Sequence, residues 1–170
     1  MPRPSIFVIL PGMSRIKLAE ALALRADATK KVEALRSRIV DNARHQEGEE
    51  PAEDASALLV DVETALGDLE SLIQRINRTN AATPLGEGTI TDAIAHRDVL
   101  RLRHGVLTAA ADAAAGRNQS GYGRQLRSEL RYLSALPVAE LRSRADRVAG
   151  EIRVVDVEIQ RTNWETDLLD

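Results

Sequence analysis

Four apolar seams at helical spacing constrain this chain more than any motif in it. Val138, Leu141, Ala145, Val148, Ile152, Val155 and Ile159 step by threes and fours without a slip, the period that keeps one stripe of a helix turned toward a partner. An equally regular stripe runs through Ala55, Leu59, Val62, Leu66, Leu69, Ile73 and Ile76, and its next position is Asn80. An earlier one starts from Ser14, a suitable N-cap, and passes through Ala21, Ala28, Val32, Leu35 and Ile39. It meets no glycine or proline until "QEGEEPAED", where Gly48 reads as a stop and Pro51 as a restart. The remaining stripe follows the loop "ATPLGEG", is capped by Thr89 or Thr91, and continues through Ile94, Leu100, Leu107, Ala110 and Ala114 to Gly116.

Four such helices predict an all-α fold, an elongated antiparallel four-helix bundle with coiled-coil-like packing, about 40 Å long at the helical rise per residue. Two helical hairpins from different chains completing one another fit the same seams. Between the third and fourth helices, "GRNQSGYGR" has loop composition, and the alternation in "SELRYLSALP" predicts a short strand-like segment near 128–133. At 170 residues one domain is expected, spanning 14–170. Residues 1–13 read as a poorly ordered N-terminal extension, because the apolar run Ile6–Leu10 is too short for a signal-peptide core or a membrane span.

Composition narrows the function classes. The net charge of -3 gives no strong nucleic-acid signal and no attraction to anionic lipid. With no cysteine there is no disulfide, thiol nucleophile or thiolate metal site, and a cytoplasmic location fits. Phe7, Tyr122, Tyr132 and Trp164 are the aromatic residues, too few to stack bases. The one locally basic stretch with aromatics, Arg117 to Arg131, carries Arg117, Arg124, Arg127 and Arg131 beside Tyr122 and Tyr132. It is the best place for a phosphate contact, with oligomer contact as the competing use.

Known catalytic patterns are missing. The residues three before His45, His96 and His104 are Asn42, Ala93 and Arg101, so the Glu-x-x-His pairs of bundle di-metal enzymes are absent. There is no HExxH, GxSxG or P-loop pattern. Asp92 and His96 lie one turn apart, which reads as an ordinary surface pair on a helix. No cofactor, metal site or catalytic residue is expected.

The chemistry that does stand out is polar residues on apolar seams. Asn80 extends the second seam, while Arg97, Arg101 and His104 interrupt the third. The second and fourth helices close on "INRTN" and "IQRTNW". Helix capping accounts for both endings, since Asn tolerates the left-handed conformation that ends a helix. The alternative is a cluster of Asn77, Asn80, Arg97, Arg101, Asn163 and Trp164, rich in donors and suited to a small anionic ligand. At the other end Asn42, Arg44 and Gln46 form a second polar group beside His45 and Glu47. It runs on into Glu49, Glu50, Glu53 and Asp54, and reads as a solvated acidic turn rather than a metal site.

The segments "KLAEALALRAD", "DNARHQEGEEPAED", "INRTN", "RDVLRLR" and "IQRTNW" together resemble an uncharacterised bacterial family that carries the label septicolysin. The similarity runs from about Met13 to Leu168. It implies no activity, cofactor or catalytic residue. The label would imply a secreted pore-forming toxin, whereas an export signal and a membrane-inserting hairpin are not evident in the sequence. The expectation is therefore a non-catalytic interaction or structural protein that self-associates as a homo-oligomer. A binder of, or enzyme acting on, a small anionic ligand at the Asn/Arg cluster is the alternative.

Overall fold

The computed structural model of the chain describes residues 16–117 and 133–170. Its elements in order are α1 (Leu18–Asn42), α2 (Ala55–Ala82), β1 (Pro84–Leu85), β2 (Gly88–Thr89), α3 (Ile90–Ala114) and α4 (Val138–Glu165). The fold is all-α with four long helices, as the seams require. Residues 1–13, Ser14 and the expected strand-like segment over 128–132 lie outside the described residues. The chain divides into two compact units, one holding α1, α2 and residues 162–170, the other residues 84–161.

In the first unit α1 and α2 form a hairpin around Leu35, Leu58 and Ala65, flanked by Val32, Ile39 and Val62. The helix α1 is shorter than its periodicity suggested. It begins at Leu18, where the Glu20 carboxylate accepts the Lys17 amide at 2.8 Å, and it ends at Asn42. Gln46 therefore lies beyond α1. The Asn42 side chain donates to the Arg38 carbonyl at 2.9 Å and accepts the Glu53 amide at 3.0 Å, so the chain turns through one side chain. Asp54, not Pro51, starts α2 by accepting the Ser56 and Ala57 amides at 2.8 and 3.2 Å.

The largest departure from the sequence reading lies in which stripe of α2 is buried. Leu58, Ala65, Ile76 and Thr79 are buried and Val62, Leu69 and Leu72 are half-buried, so that alternate positions of the expected stripe are each replaced by the preceding residue. Leu59, Leu66 and Ile73 are 51%, 41% and 37% exposed. Both registers share Ala55, Val62, Leu69 and Ile76, so periodicity alone does not choose between them. The one adopted brings small side chains, Ala65 and Thr79, to the packed face, which suits an α1 carrying Ala21 and Ala28 on its own seam.

The last residues of the chain close the open end of this hairpin. Leu18 donates its amide to the Thr166 carbonyl and Leu168 donates to the Ile16 carbonyl, both at 2.9 Å. The Lys17 ammonium sits 2.7 Å from Asp167 and 3.1 Å from the Glu165 carbonyl. Leu168 is buried, which removes a leucine side chain from water and favours the closed end by roughly 1.5–3 kcal/mol.

In the second unit Pro84–Leu85 pairs antiparallel with Gly88–Thr89, so the expected loop "ATPLGEG" contains a small ribbon. Its two-residue turn needs a positive φ at the first position, which Gly86 supplies at 62°. Thr89 then caps α3, accepting the Asp92 amide at 3.4 Å while Asp92 accepts the Thr89 amide at 2.8 Å and its hydroxyl at 2.7 Å. The Asp92 carboxylate lies so close that a Cβ on Gly88 would meet its Oδ2 at 2.8 Å. α3 packs on α4 through Leu100, Leu107, Ala111, Leu141, Ala145 and Val148, with Ala110, Ile152 and Val155 around them. The seam of α4 lies where the periodicity put it. Among the described residues no helix is long and apolar enough to cross a membrane.

Candidate functional site

The residues expected to form an Asn/Arg cluster fall into the two units. Asn77, Asn80, Asn163 and Trp164 belong to the first, Arg97 and Arg101 to the second.

Arg97 and Arg101 are one turn apart on α3, and two carboxylates meet them. Arg97 donates from Nε and Nη2 to Asp98 at 3.1 and 3.0 Å and lies 3.6 Å from Asp156. Arg101 donates to both Asp156 oxygens at 3.3 and 3.1 Å and lies 3.8 Å from Asp98. Two guanidinium groups thus share two carboxylates, so their charge is already matched within α3 and α4. The Arg97 side chain, 20% exposed, occupies a seam position because its stem packs while its head is paired. Asp156, the residue that makes this possible, was missed by the sequence reading. It adjoins Val155 on the seam of α4, and the packing of α4 on α3 brings it opposite Arg97 and Arg101.

In the first unit the two Arg-Thr-Asn triplets are not helix ends. α2 continues to Ala82 and α4 to Glu165, and no non-glycine residue among those described has a positive φ. Left-handed capping by Asn80 or Asn163 is therefore overturned. The threonine of each triplet is buried, Thr79 fully and Thr162 nearly so, and in the second triplet Asn163 is buried with it. The Thr79 hydroxyl donates to the Arg75 carbonyl at 2.8 Å and accepts the Leu169 amide at 3.0 Å. Arg75 adds a bond to the Leu169 carbonyl at 3.0 Å and an ion pair with Asp170 at 3.1 Å. A threonine suits this position because its methyl fills the seam while its hydroxyl bridges helix and tail. Asn163 is buried, and its Oδ1 lacks a hydrogen-bond partner among the described residues. Asn80 is half-buried, whereas Asn77 and Trp164 are exposed.

The second polar end is a shallow cleft of about 460 Å³ lined by Asn42, Ala43, His45, Glu50, Pro51, Glu53, Asp54, Ala55 and Ser56. Three of these polar groups are committed to structure: Asn42 and Asp54 as above, and Glu53, whose two carboxylate oxygens take hydrogen bonds from Arg38. Arg44 and Gln46 are exposed. No group of three or more metal-ligating side chains occurs among the described residues. Arg38 holds the Glu53 carboxyl below its ordinary value by hydrogen bonding and by charge, against desolvation. A carboxyl with a lowered folded-state pKa stabilises the fold above the pKa it has when unfolded, and that contribution is lost as pH falls through the lower folded value. Glu53→Gln is therefore expected to melt below the parent near pH 7, with the two melting curves converging as pH drops well below 4.5. A gap that stays constant over pH 3–7 would show that the pair does not stabilise the turn.

Of the basic stretch Arg117–Arg131, only Arg117 lies within the described residues, and it pairs with Asp112 at 3.5 Å. The Asp92 carboxyl near His96 is used as a cap, and the hydrogen bonds from Thr89 lower its pKa.

Residues 25–168 match a family described as a family of unknown function, DUF6847. The chain belongs to that family. A solved structure described as the crystal structure of a functionally unknown conserved protein from Corynebacterium diphtheriae is similar to it at 36% identity. The match has a TM-score of 0.83 and covers 92% of this chain and all of the other. Comparison with curated proteins finds no match. This chain thus shares its fold with at least one solved relative.

Proposed function

We propose that this DUF6847 protein is a non-catalytic, self-associating helical protein of the cytoplasm, and that the strip Leu59, Leu66 and Ile73 on α2 is the surface through which copies associate. The observation carrying this reading is that α2 has two apolar faces. One packs on α1, and the other repeats every seven residues while staying 37% to 51% exposed. Isolated exposed leucines need no explanation, but a strip in heptad register along one helix is the pattern that pairs helices between chains. A second copy presenting the same strip is self-complementary about a two-fold axis.

Sedimentation equilibrium of the full chain is expected to give a mass that is a multiple of 18.6 kDa at micromolar concentration. Leu59→Glu/Leu66→Glu is expected to shift this to the monomer while helicity by circular dichroism is kept. A parent chain that stays monomeric at about 100 µM, or a variant that associates as the parent does, would refute the proposal. The reading of a small anionic ligand at Arg97 and Arg101 draws less support, since Asp98 and Asp156 already take their donors.

A further inference from the structure

The second unit contains a cleft of about 390 Å³ between α3 and α4, lined by Arg103, Leu107, Arg144, Arg147, Val148 and Glu151. Its floor is apolar, since Leu107 and Val148 are buried core residues. Its rim is basic, with three arginines against one glutamate. Arg97, Arg101 and Arg117 of this unit each have an aspartate partner, whereas Arg142 and Arg153, which do not line the cleft, form no ion pair with a described residue. Arg103, Arg144 and Arg147 form no ion pair with any described residue, although Asp146 and Glu151 are close in sequence.

Three guanidinium groups without ion-pair partners among the described residues line one hollow, and an anion that bridges them would accept several of their hydrogen bonds. The cleft falls in the size range of small-molecule sites. We infer that this cleft binds a small multivalent phosphate compound, with the arginines holding the phosphate oxygens and Glu151 accepting from a ligand hydroxyl or amine. A small ligand fits better than a nucleic acid strand, because the basic surface is confined to one cleft on a chain of net charge -3, whereas a strand needs an extended row of phosphate contacts. This inference does not depend on self-association through α2.

The test is isothermal titration of the full chain with inorganic pyrophosphate, at constant ionic strength and with chloride as the reference anion. Saturable binding with Kd below about 1 mM is expected, weakened about tenfold or more by Arg144→Gln/Arg147→Gln and again by Arg103→Gln, since each loses charge-assisted bonds. Arg153→Gln on the same helix should bind as the parent does. Unchanged melting temperature and helicity in the variants without ligand keep the comparison valid. Should Arg144→Gln/Arg147→Gln unfold the unit, Arg103→Gln alone carries the test. The inference is overturned by a failure of pyrophosphate to bind, by equal binding in the arginine variants, or by poly-glutamate binding as tightly as pyrophosphate at the same ionic strength.

Discussion

Leu100→Ala is expected to destabilise the protein by about 2–5 kcal/mol, because it opens a cavity where a fully buried leucine meets α4. Leu100 is 1% exposed and belongs to the cluster with Leu107, Leu141 and Val148. Leu102, two residues further along α3, is 72% exposed, and Leu102→Ala should change stability by less than about 0.5 kcal/mol. The same chemical change thus has a large or a negligible effect according to the face it lands on. For a chain of this size the first substitution corresponds to a melting temperature lower by roughly 4–20 °C. Thermal unfolding followed by circular dichroism measures both. Equal effects at the two positions would mean that α3 is turned about its axis relative to the arrangement described above.

Thr79→Val is expected to cost about 1–3 kcal/mol although shape and volume are nearly conserved, because the loss is one of hydrogen bonding in a dry place. The Thr79 hydroxyl is the acceptor for the Leu169 amide, and valine offers nothing in its place. The Arg75 carbonyl keeps its helical partner, so the penalty arises mainly at the tail. Hydrogen exchange should show it directly: the Leu169 amide loses protection in Thr79→Val while amides in the middle of α1 and α2 keep theirs. Thr83→Val is the comparison, since its hydroxyl only donates to the Thr79 carbonyl, already the acceptor of the Thr83 amide. Exchange at Leu169 equal in the parent and Thr79→Val would mean that the tail is held by Leu168 and the backbone bonds alone.

How far the fold was legible follows the same line between period and partner. The seam of α4 was readable residue by residue because only one set of its apolar positions repeats along the whole helix, Val154 and Val157 lying off it and exposed. The seam of α2 was readable in period but not in phase: leucine or isoleucine occurs at 58 and 59 and again at 72 and 73, with Ala65 beside Leu66. Thr89 was foreseeable as a cap, since Asp92 stands at the required spacing. The ribbon over 84–89 was hidden because two residues per strand leave no alternation to detect.

The polar candidates divide similarly. Arg97 and Arg101 were conspicuous for interrupting a seam, but the charge that balances theirs comes from Asp156, which is more than fifty residues away in sequence. The three arginines of the 390 Å³ cleft do not interrupt a seam, and only the packing of α3 on α4 brings Arg103 to Arg144 and Arg147. The Arg-Thr-Asn likeness was noticed through its asparagines, whereas the tertiary structure gives the central position to Thr79.

The sequence by itself determined four helices, their approximate limits and the lack of familiar catalytic patterns, because helical period and chain-breaking residues act locally along the chain. Only the tertiary structure decided which of two apolar faces of α2 is buried, that Thr79 holds the C-terminal tail, and which arginines are neutralised. Each of these depends on a partner brought close by packing, and a side chain's burial or charge balance has no value until that partner is in place.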